Sequence, residues 1–325
     1  DDRKVIVDRS WREAVDCIVF DEIHKMPEWK NYLKGVYDKK LDHQHILVTG
    51  SARLDTFQQF GDALSGRFFK HRLMPFSLRE ISLMHEETSL HRLMDRSGFP
   101  EPYLTESPED ADRWRNIYID GLIRHDVVGI ESMIQLNKMS TLIQLLRRSI
   151  GSPLSYSSLA RDIGVSSVTV KKYVDILEAL FIVFRIYPFS RNIARSILKE
   201  PKLYFYDHGL VKGEEGLLFE NMIAVSLLKH CFAMEDQKGM NLKLRYVRTK
   251  EKKEVDFCLV HEDEIIRLIE VKLTDRNFSK NLIYFSDKHN IDGVQVVLEM
   301  KNKAERQQNR LSLRSAHSFL SELYL

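Results

Sequence analysis

Four apolar residues, Cys17-Ile18-Val19-Phe20, run without a break into Asp21-Glu22, and no other feature of the chain restricts its fold as much. A run this short, bounded by acids, reads as a buried strand rather than a helix. An amphipathic stretch with Trp29, Leu33, Val36 and Tyr37 follows, then a second apolar strand, His45 to Val48, ending in Thr49-Gly50-Ser51-Ala52-Arg53. Leu64-Ser65-Gly66-Arg67 and a beta-like stretch from Phe68 to Leu73 continue the pattern. Strand alternating with helix over residues 1–80 predicts half of a parallel α/β sheet. In isolation, Asp21-Glu22 would read equally as the turn closing a surface strand; the second strand with its small polar end argues against that.

A strand that ends in two acids has the shape of a Walker B element, which presents one carboxylate to a nucleotide-bound magnesium and the next to the attacking water. Its usual partner, the phosphate-cradling Gly-x-x-x-x-Gly-Lys-Ser/Thr loop, is absent from the sequence. The chain starts at Asp1 rather than Met, close upstream of the acidic strand, and the expectation is the C-terminal portion of a longer or split ATPase. The whole succession resembles the AAA-superfamily ATPases of bacteria and archaea that carry a C-terminal domain of unknown function with a nuclease-like motif. The resemblance implies ATP and Mg2+ as cofactors. It makes Asp21 the magnesium-side carboxylate, Glu22 the water-orienting base and Arg67 a nucleotide-proximal arginine. Thr49 or Ser51 fits the small polar residue that senses the γ-phosphate in P-loop ATPases, and the resemblance favours Ser51. Asp21-Glu22-Ile23-His24 also resembles the DExH helicases, but no second helicase domain follows and Gly66-Arg67 comes too early for their arginine motif.

At 325 residues the chain has length for two or three domains, each burying its own core. Hydrophobic residues make up 43% and charged residues 30%, which excludes a disordered or membranous chain. A net charge of +2 excludes bulk polyanion binding, so any contact with DNA must use local basic patches. Cys17, Cys231 and Cys258 are scattered in apolar segments and read as reduced core thiols of a cytoplasmic protein. The longest apolar region in this reading, Ile176 to Phe189, is broken by Glu178 and Arg185 and is too short to span a bilayer, so no membrane is expected. There is no His-x-x-x-His or Cys-rich spacing for zinc and no serine nucleophile elbow.

Residues 81–137 read as a helical linker or lid, broken at Ser97-Gly98-Phe99-Pro100-Glu101-Pro102. Residues 138–200 have the layout of a winged helix-turn-helix. One helix, Met139 to Ile150, ends at Gly151, and a second, Tyr156 to Ile163, stops at Gly164. Ser166-Ser167 caps a third from Val168 to Leu180, and two beta stretches, Phe181 to Phe189 and Lys202 to Tyr206, complete the wing. Ser167, Thr169, Lys171 and Lys172 would face a DNA groove. Winged helices also serve as protein-contact modules and as lids in ATPases, so the fold does not assign the role.

Residues 201–325 hold the second constellation. Val255 to Val260 reads as a strand, His261 to Glu264 as a turn, and Ile265 to Leu273 as the returning strand with Glu270-Val271-Lys272. Period-two geometry puts Glu270 and Lys272 on one face. With Asp256 on the first strand, the cluster resembles the PD-(D/E)XK nuclease core. That resemblance implies Asp256 and Glu270 as magnesium ligands, Lys272 as the residue assisting the attacking water, and Glu220, on the helix opened by Leu218-Phe219-Glu220-Asn221, as a further metal-side acid. The basic run Lys243, Arg245, Arg248, Lys250, Lys252 and Lys253 fits either a phosphate track or a solvated loop. The expectation is an α/β protein with a partial P-loop ATPase sheet, a winged-helix middle and a PD-(D/E)XK-like C-terminal domain. Its function would be ATP hydrolysis coupled to DNA binding or processing, in a homo-oligomer or beside a separate Walker A-bearing chain. A silent DNA-binding remnant, and a metal-dependent nuclease with a scaffold ATPase half, are the alternatives.

Overall fold

The computed structural model describes residues 11, 13–50, 64, 66–84, 90–123, 133–190, 200–274, 277–300 and 305–324. The architecture is mixed α/β and divides into two compact units, Asp1–Lys70 and His71–Leu325.

In the first unit, β1 (Cys17–Phe20), α1 (Trp29–Tyr37) and β2 (His45–Val48) make one strand-helix-strand turn of the chain. The strands pair in parallel, Cys17 opposite His45 and Phe20 opposite Val48, as a helical crossover requires. Ile18 and Phe20 point into a core with Ile23, Leu33, Val36 and Leu64. Trp11 and Tyr32 meet Phe20 edge-on at 6.2 and 5.9 Å. The alternate residues Val19 and Leu47 are 56% and 52% exposed. The beta-like reading of Phe68 to Leu73 is corrected: these residues form no strand, and Phe69 and Leu73 stand in solvent. Apolar composition does not make a strand without a ladder to join; this stretch joins no sheet among the described residues, and Arg72 N instead donates to the Asp236 carboxylate at 2.9 Å.

The second unit opens with α2 (Leu78–Met84), α3 (Leu90–Arg96), α4 (Pro100–Leu104) and α5 (Pro108–Leu122). Gly98 makes the turn between α3 and α4 because a Cβ there would lie 2.4 Å from the Phe76 carbonyl oxygen. Then come α6 (Met133–Leu146), α7 (Tyr156–Ile163), α8 (Ser167–Ala179) and the antiparallel pair β3 (Val183–Ile186) and β4 (Lys202–Phe205). Ser155 and Ser166 cap α7 and α8 by accepting from Ser158 N and Thr169 N, and Gly164 ends α7 in the left-handed conformation at φ 66°. α6 closes earlier than the expected Ile150. Arg148 N and Ser149 N bond back three residues to Leu145 O and Leu146 O, tightening the last turn before Gly151.

The long helix α9 (Glu215–Lys238) leads into β5 (Leu242–Arg248), β6 (Glu254–His261), β7 (Glu264–Thr274), α10 (Lys280–His289), β8 (Gly293–Glu299), β9 (Arg306–Gln308), β10 (Leu311–Ser315) and α11 (Ala316–Glu322). Among the described residues they form one sheet in the order β5-β6-β7-β8-β10-β9, antiparallel from β5 to β7 and parallel from β7 through β8 to β10. The β6–β7 hairpin turns at Glu262 and Asp263, both at positive φ, the geometry that matches strand twist. Two bulges bracket its acidic part. Val260 faces Ile265 but Leu259 faces Arg267, which makes Ile266 an extra residue on β7. On the other side, Arg245 faces Cys258 and Val247 faces Val255, so Asp256 and Phe257 together oppose the single residue Tyr246.

One apolar core runs from Leu78 through Tyr173, Phe219 and Val296 to Leu323, and the segments 81–137, 138–200 and 201–325 all contribute to it. A second cluster, with Leu268, Leu282 and Phe285, lies under α10. α9 is long and apolar enough to cross a membrane by length and composition, which Ile176 to Phe189 is not; 56% of its apolar window is buried within the protein.

Candidate functional site

The first acidic pair sits where β1 ends. Asp21 is exposed, and its Oδ1 accepts a hydrogen bond from the Thr49 hydroxyl at the end of β2. The ladder continues one step past both strands, with Thr49 N donating to Phe20 O at 2.9 Å and Glu22 N to Thr49 O at 3.1 Å. Glu22 adopts the left-handed conformation at φ 50°, which turns the chain away from the sheet, and its carboxylate lies 3.2 Å from Lys25 Nζ. The parallel register thus brings Asp21 and Thr49 together; Ser51 lies outside the described residues. Arg67 Nε is 3.5 Å from Asp38 Oδ1, with the guanidinium over the Tyr37 ring.

The second cluster is built at a fork in the sheet. The β6–β7 ladder ends at Phe257 opposite Ile269, and one step further Asp256 comes alongside Glu270. There the Asp256 carboxylate replaces the missing strand partner, accepting from Val271 N at 2.8 Å. Glu270 is only 4% exposed, on β7 between β6 and β8. Its Oε1 lies 2.8 Å from Lys272 Nζ, as expected for residues two apart on one strand face, whereas its buried Oε2 has no hydrogen-bond partner. Glu220, on the first turns of α9, accepts from the Tyr204 hydroxyl at 2.7 Å. Lys202 Nζ is 2.7 Å from Glu254 Oε1 and 3.6 Å from Glu220 Oε1.

Burial and the neighbouring Asp256 push the Glu270 carboxyl up to about 7, against which Lys272 acts. Burial and Asp256 raise Glu220 as well, opposed by Lys202. Burial works against a charged Lys272, but Asp256 and Glu270 outweigh it and hold the ammonium above its ordinary value. Among the described residues no three His, Cys, Asp or Glu side chains stand close enough together to cage a metal ion. The arrangement pairs two carboxylates, Asp256 and Glu270, of which Glu270 keeps one buried oxygen without a hydrogen-bond partner.

Lys202, Tyr204 and Gln295 were not singled out in the sequence, and Gly151 only as a helix stop. Gln295 lies opposite Glu270 on β8, is buried, and holds Ser279 N at 2.8 Å, fixing the start of α10 beside the cluster. A glutamine inside Gly293-Val294-Gln295-Val296-Val297 was the available signal for it.

On α8, Ser167, Lys171 and Lys172 are exposed, whereas Thr169 Oγ1 is engaged by Ser166 Oγ at 2.8 Å as part of the cap. The basic run forms β5 and the following turn, and much of it is paired within the chain. Arg248 meets Glu254 at 3.0 Å, Lys243 meets Asp263 at 3.8 Å, and Lys253 lies over the Tyr284 ring.

Known families match in three stretches. Residues 2–82 match an AAA domain, residues 87–217 a domain of unknown function (DUF8612), and residues 215–318 a second domain of unknown function (DUF4143). Uncharacterized proteins of Mycobacterium tuberculosis and Mycobacterium bovis are 27% identical over 194 residues, covering 60% of this chain and 43% of theirs. An uncharacterized protein of Haemophilus influenzae is 20% identical across 86% of this chain and 75% of its own length. The chain therefore spans less than half the length of the mycobacterial relatives. No solved structure matches. The N-terminal stretch is thus similar to an AAA domain, and the C-terminal stretch to a domain of unknown function.

Proposed function

We propose that this chain is part of an AAA-type ATPase whose nucleotide cycle is coupled to DNA binding or processing. The observation that carries this reading is the Asp21–Thr49 hydrogen bond across the ends of two parallel strands. An acid and a small hydroxyl side by side at the ends of parallel strands support a site that would meet a nucleotide-bound magnesium and its γ-phosphate. Asp21 would hold the magnesium side, Glu22 would take the proton of the attacking water, and Thr49 or Ser51 would report the phosphate. The sequence holds no glycine-rich lysine loop for the triphosphate, so this chain alone binds ATP weakly. Micromolar ATP binding by calorimetry overturns that. Joined to a segment bearing such a loop, Glu22→Gln keeps binding and loses about 10²–10⁴-fold in turnover, the range of general-base catalysis. Equal turnover removes Glu22 from the mechanism.

The unpartnered Glu270 Oε2 favours a second activity in the same chain, metal-dependent cleavage of DNA in a PD-(D/E)XK-like domain. The donor set fits a divalent cation: two acids at a sheet fork, one holding a buried oxygen without a hydrogen-bond partner. Asp256 and Glu270 would hold the ion, which when bound supplies a polarised water and charge for the attacked phosphate. Lys272, kept protonated by those acids, steadies the anionic oxygen that develops. Asp256→Ala abolishes Mn2+-dependent cleavage of branched, single-stranded or duplex DNA, whereas Lys272→Ala keeps metal binding and loses cleavage. Cleavage untouched by Asp256→Ala ends this reading. The exposed Lys171 and Lys172 of a winged helix would meet the DNA backbone.

A further inference from the structure

We infer that Lys202 is an internal cation occupying the second-ion position of the acidic cluster, so that the cluster accepts a single divalent ion at Asp256 and Glu270; this rests on the cation-binding reading of those two acids. Lys202 is 1% exposed, and an ammonium so deeply buried persists only against compensating charge. Burial opposes its charge, yet Glu220, Asp256 and Glu254 together hold it above the ordinary lysine value. Its Nζ bridges Glu254 Oε1 at 2.7 Å and Glu220 Oε1 at 3.6 Å, as a metal ion between two carboxylates would. Glu254 is held from outside as well, by Arg248 Nη1 at 3.0 Å.

Three features fix Glu220 to this lysine and keep it from turning toward Asp256. Tyr204, two residues along β4 from Lys202, donates its hydroxyl to the same Oε1 at 2.7 Å. Gly151, at φ +74°, lies so close that a Cβ there would stand 2.8 and 2.9 Å from the two carboxylate oxygens, so backbone walls the acid in. Asn221, the next residue, clips α9 to β4 by paired bonds with the Phe205 backbone at 2.7 and 2.9 Å. Glu220 is thus the counter-ion of Lys202 and not the metal ligand that the sequence resemblance implies. Glu270 Oε2, by contrast, has no protein partner, and it is there that a cation is needed.

The test is Mn2+ titration of the full chain by calorimetry and by the loss of the free-ion paramagnetic resonance signal, with Asp256→Asn as the blank. Wild type is expected to bind one ion above the blank, and Lys202→Arg, which keeps the charge, also one. Lys202→Met leaves Glu220 and Glu254 without their buried cation and is expected to bind two, with a larger rise in melting temperature on Mn2+ addition than wild type. Lys202→Gln, which keeps a donor to Glu254, gives the same count should the methionine variant fold only in Mn2+. A single ion in both Lys202→Met and Lys202→Gln overturns the role of Lys202 and leaves the metal site standing, as does a count of two in wild type. No ion in wild type overturns the metal site itself.

Discussion

β1 and β2 leave Val19 and Leu47 more than half exposed, whereas the paired centres of β7 and β8 are buried on both faces, with Leu268, Ile269, Val294 and Val296 all within 2% of full burial. Both are parallel pairs, and both deliver acids at or near their carboxyl ends. Parallel strands are normally covered on both sides, so the first pair is less enclosed than such pairs usually are. Asp21 is exposed and accepts from a threonine hydroxyl; Glu270 is buried and keeps one oxygen without a hydrogen-bond partner. An acid at an open strand end tolerates its charge without help, while an acid inside a closed sheet demands a proton or a cation. The second site is therefore the one whose ligand state should control folding.

A buried charge breaks or sharpens this contrast most severely. Val296→Asp, at a fully buried position, should destabilise by more than about 4 kcal/mol and abolish cooperative unfolding, whereas Val19→Asp should stay within about 0.5 kcal/mol. Comparable losses by denaturant titration would show that the two sheets are equally enclosed.

The pH response comes next in size. The Glu270 carboxyl titrates at about 7 in the folded chain against an ordinary 4.5, so folding favours its protonated form. Its contribution is complete below about pH 4.5 and is lost as pH rises through about 7, up to roughly 3 kcal/mol without metal. Glu270→Gln should remove that part of the slope, and saturating Mn2+ should flatten it by favouring the carboxylate. An unchanged slope in Glu270→Gln places the titration elsewhere.

Two glycines supply a smaller comparison. Gly66 and Gly151 share nearly the same positive φ, +75° and +74°, but nothing lies within 4 Å of a Cβ at Gly66, while Gly151 abuts Glu220. Gly66→Ala should cost about 1 kcal/mol of backbone strain, and Gly151→Ala about twice that, because Glu220 must also move. Equal losses by thermal melts would deny the close approach. Smallest is Lys171→Ala with Lys172→Ala, which should leave stability within about 0.5 kcal/mol while lowering the salt slope of DNA binding by roughly 0.9 per phosphate contact. An unchanged slope points to a protein-contact role for α8.

The strand that ends in Asp21, the β6–β7 hairpin and the facing of Glu270 with Lys272 were legible because each rests on local alternation and length. Gly151 was legible only as a helix stop, since the approach of Glu220 depends on a residue 69 positions later in the sequence. Lys202 and Tyr204 sit in Lys-Leu-Tyr-Phe, which reads as an ordinary strand; that its lysine is buried follows from acids on α9 and β6 that no local pattern foretells. Phe68 to Leu73 misled in the opposite direction, offering composition without a place in a sheet.

Ile266 carries no charge and stands 46% exposed, yet the spacing of the site passes through it. Paired in regular register from the turn, with Ile266 inside the ladder, Asp256 would fall opposite Ile269; because the bulge leaves Ile266 unpaired, Asp256 falls opposite Glu270. Chemistry here is stored in a pairing as well as in residue identities. A chain could keep every acid and lysine of the cluster and still lose it by drawing that isoleucine into the ladder, whereas deleting it would leave Asp256 facing Glu270. Comparison of sequences by identity alone is blind to that difference, so strand register between Glu264 and Glu270 is the quantity to inspect when asking whether a related chain retains this site.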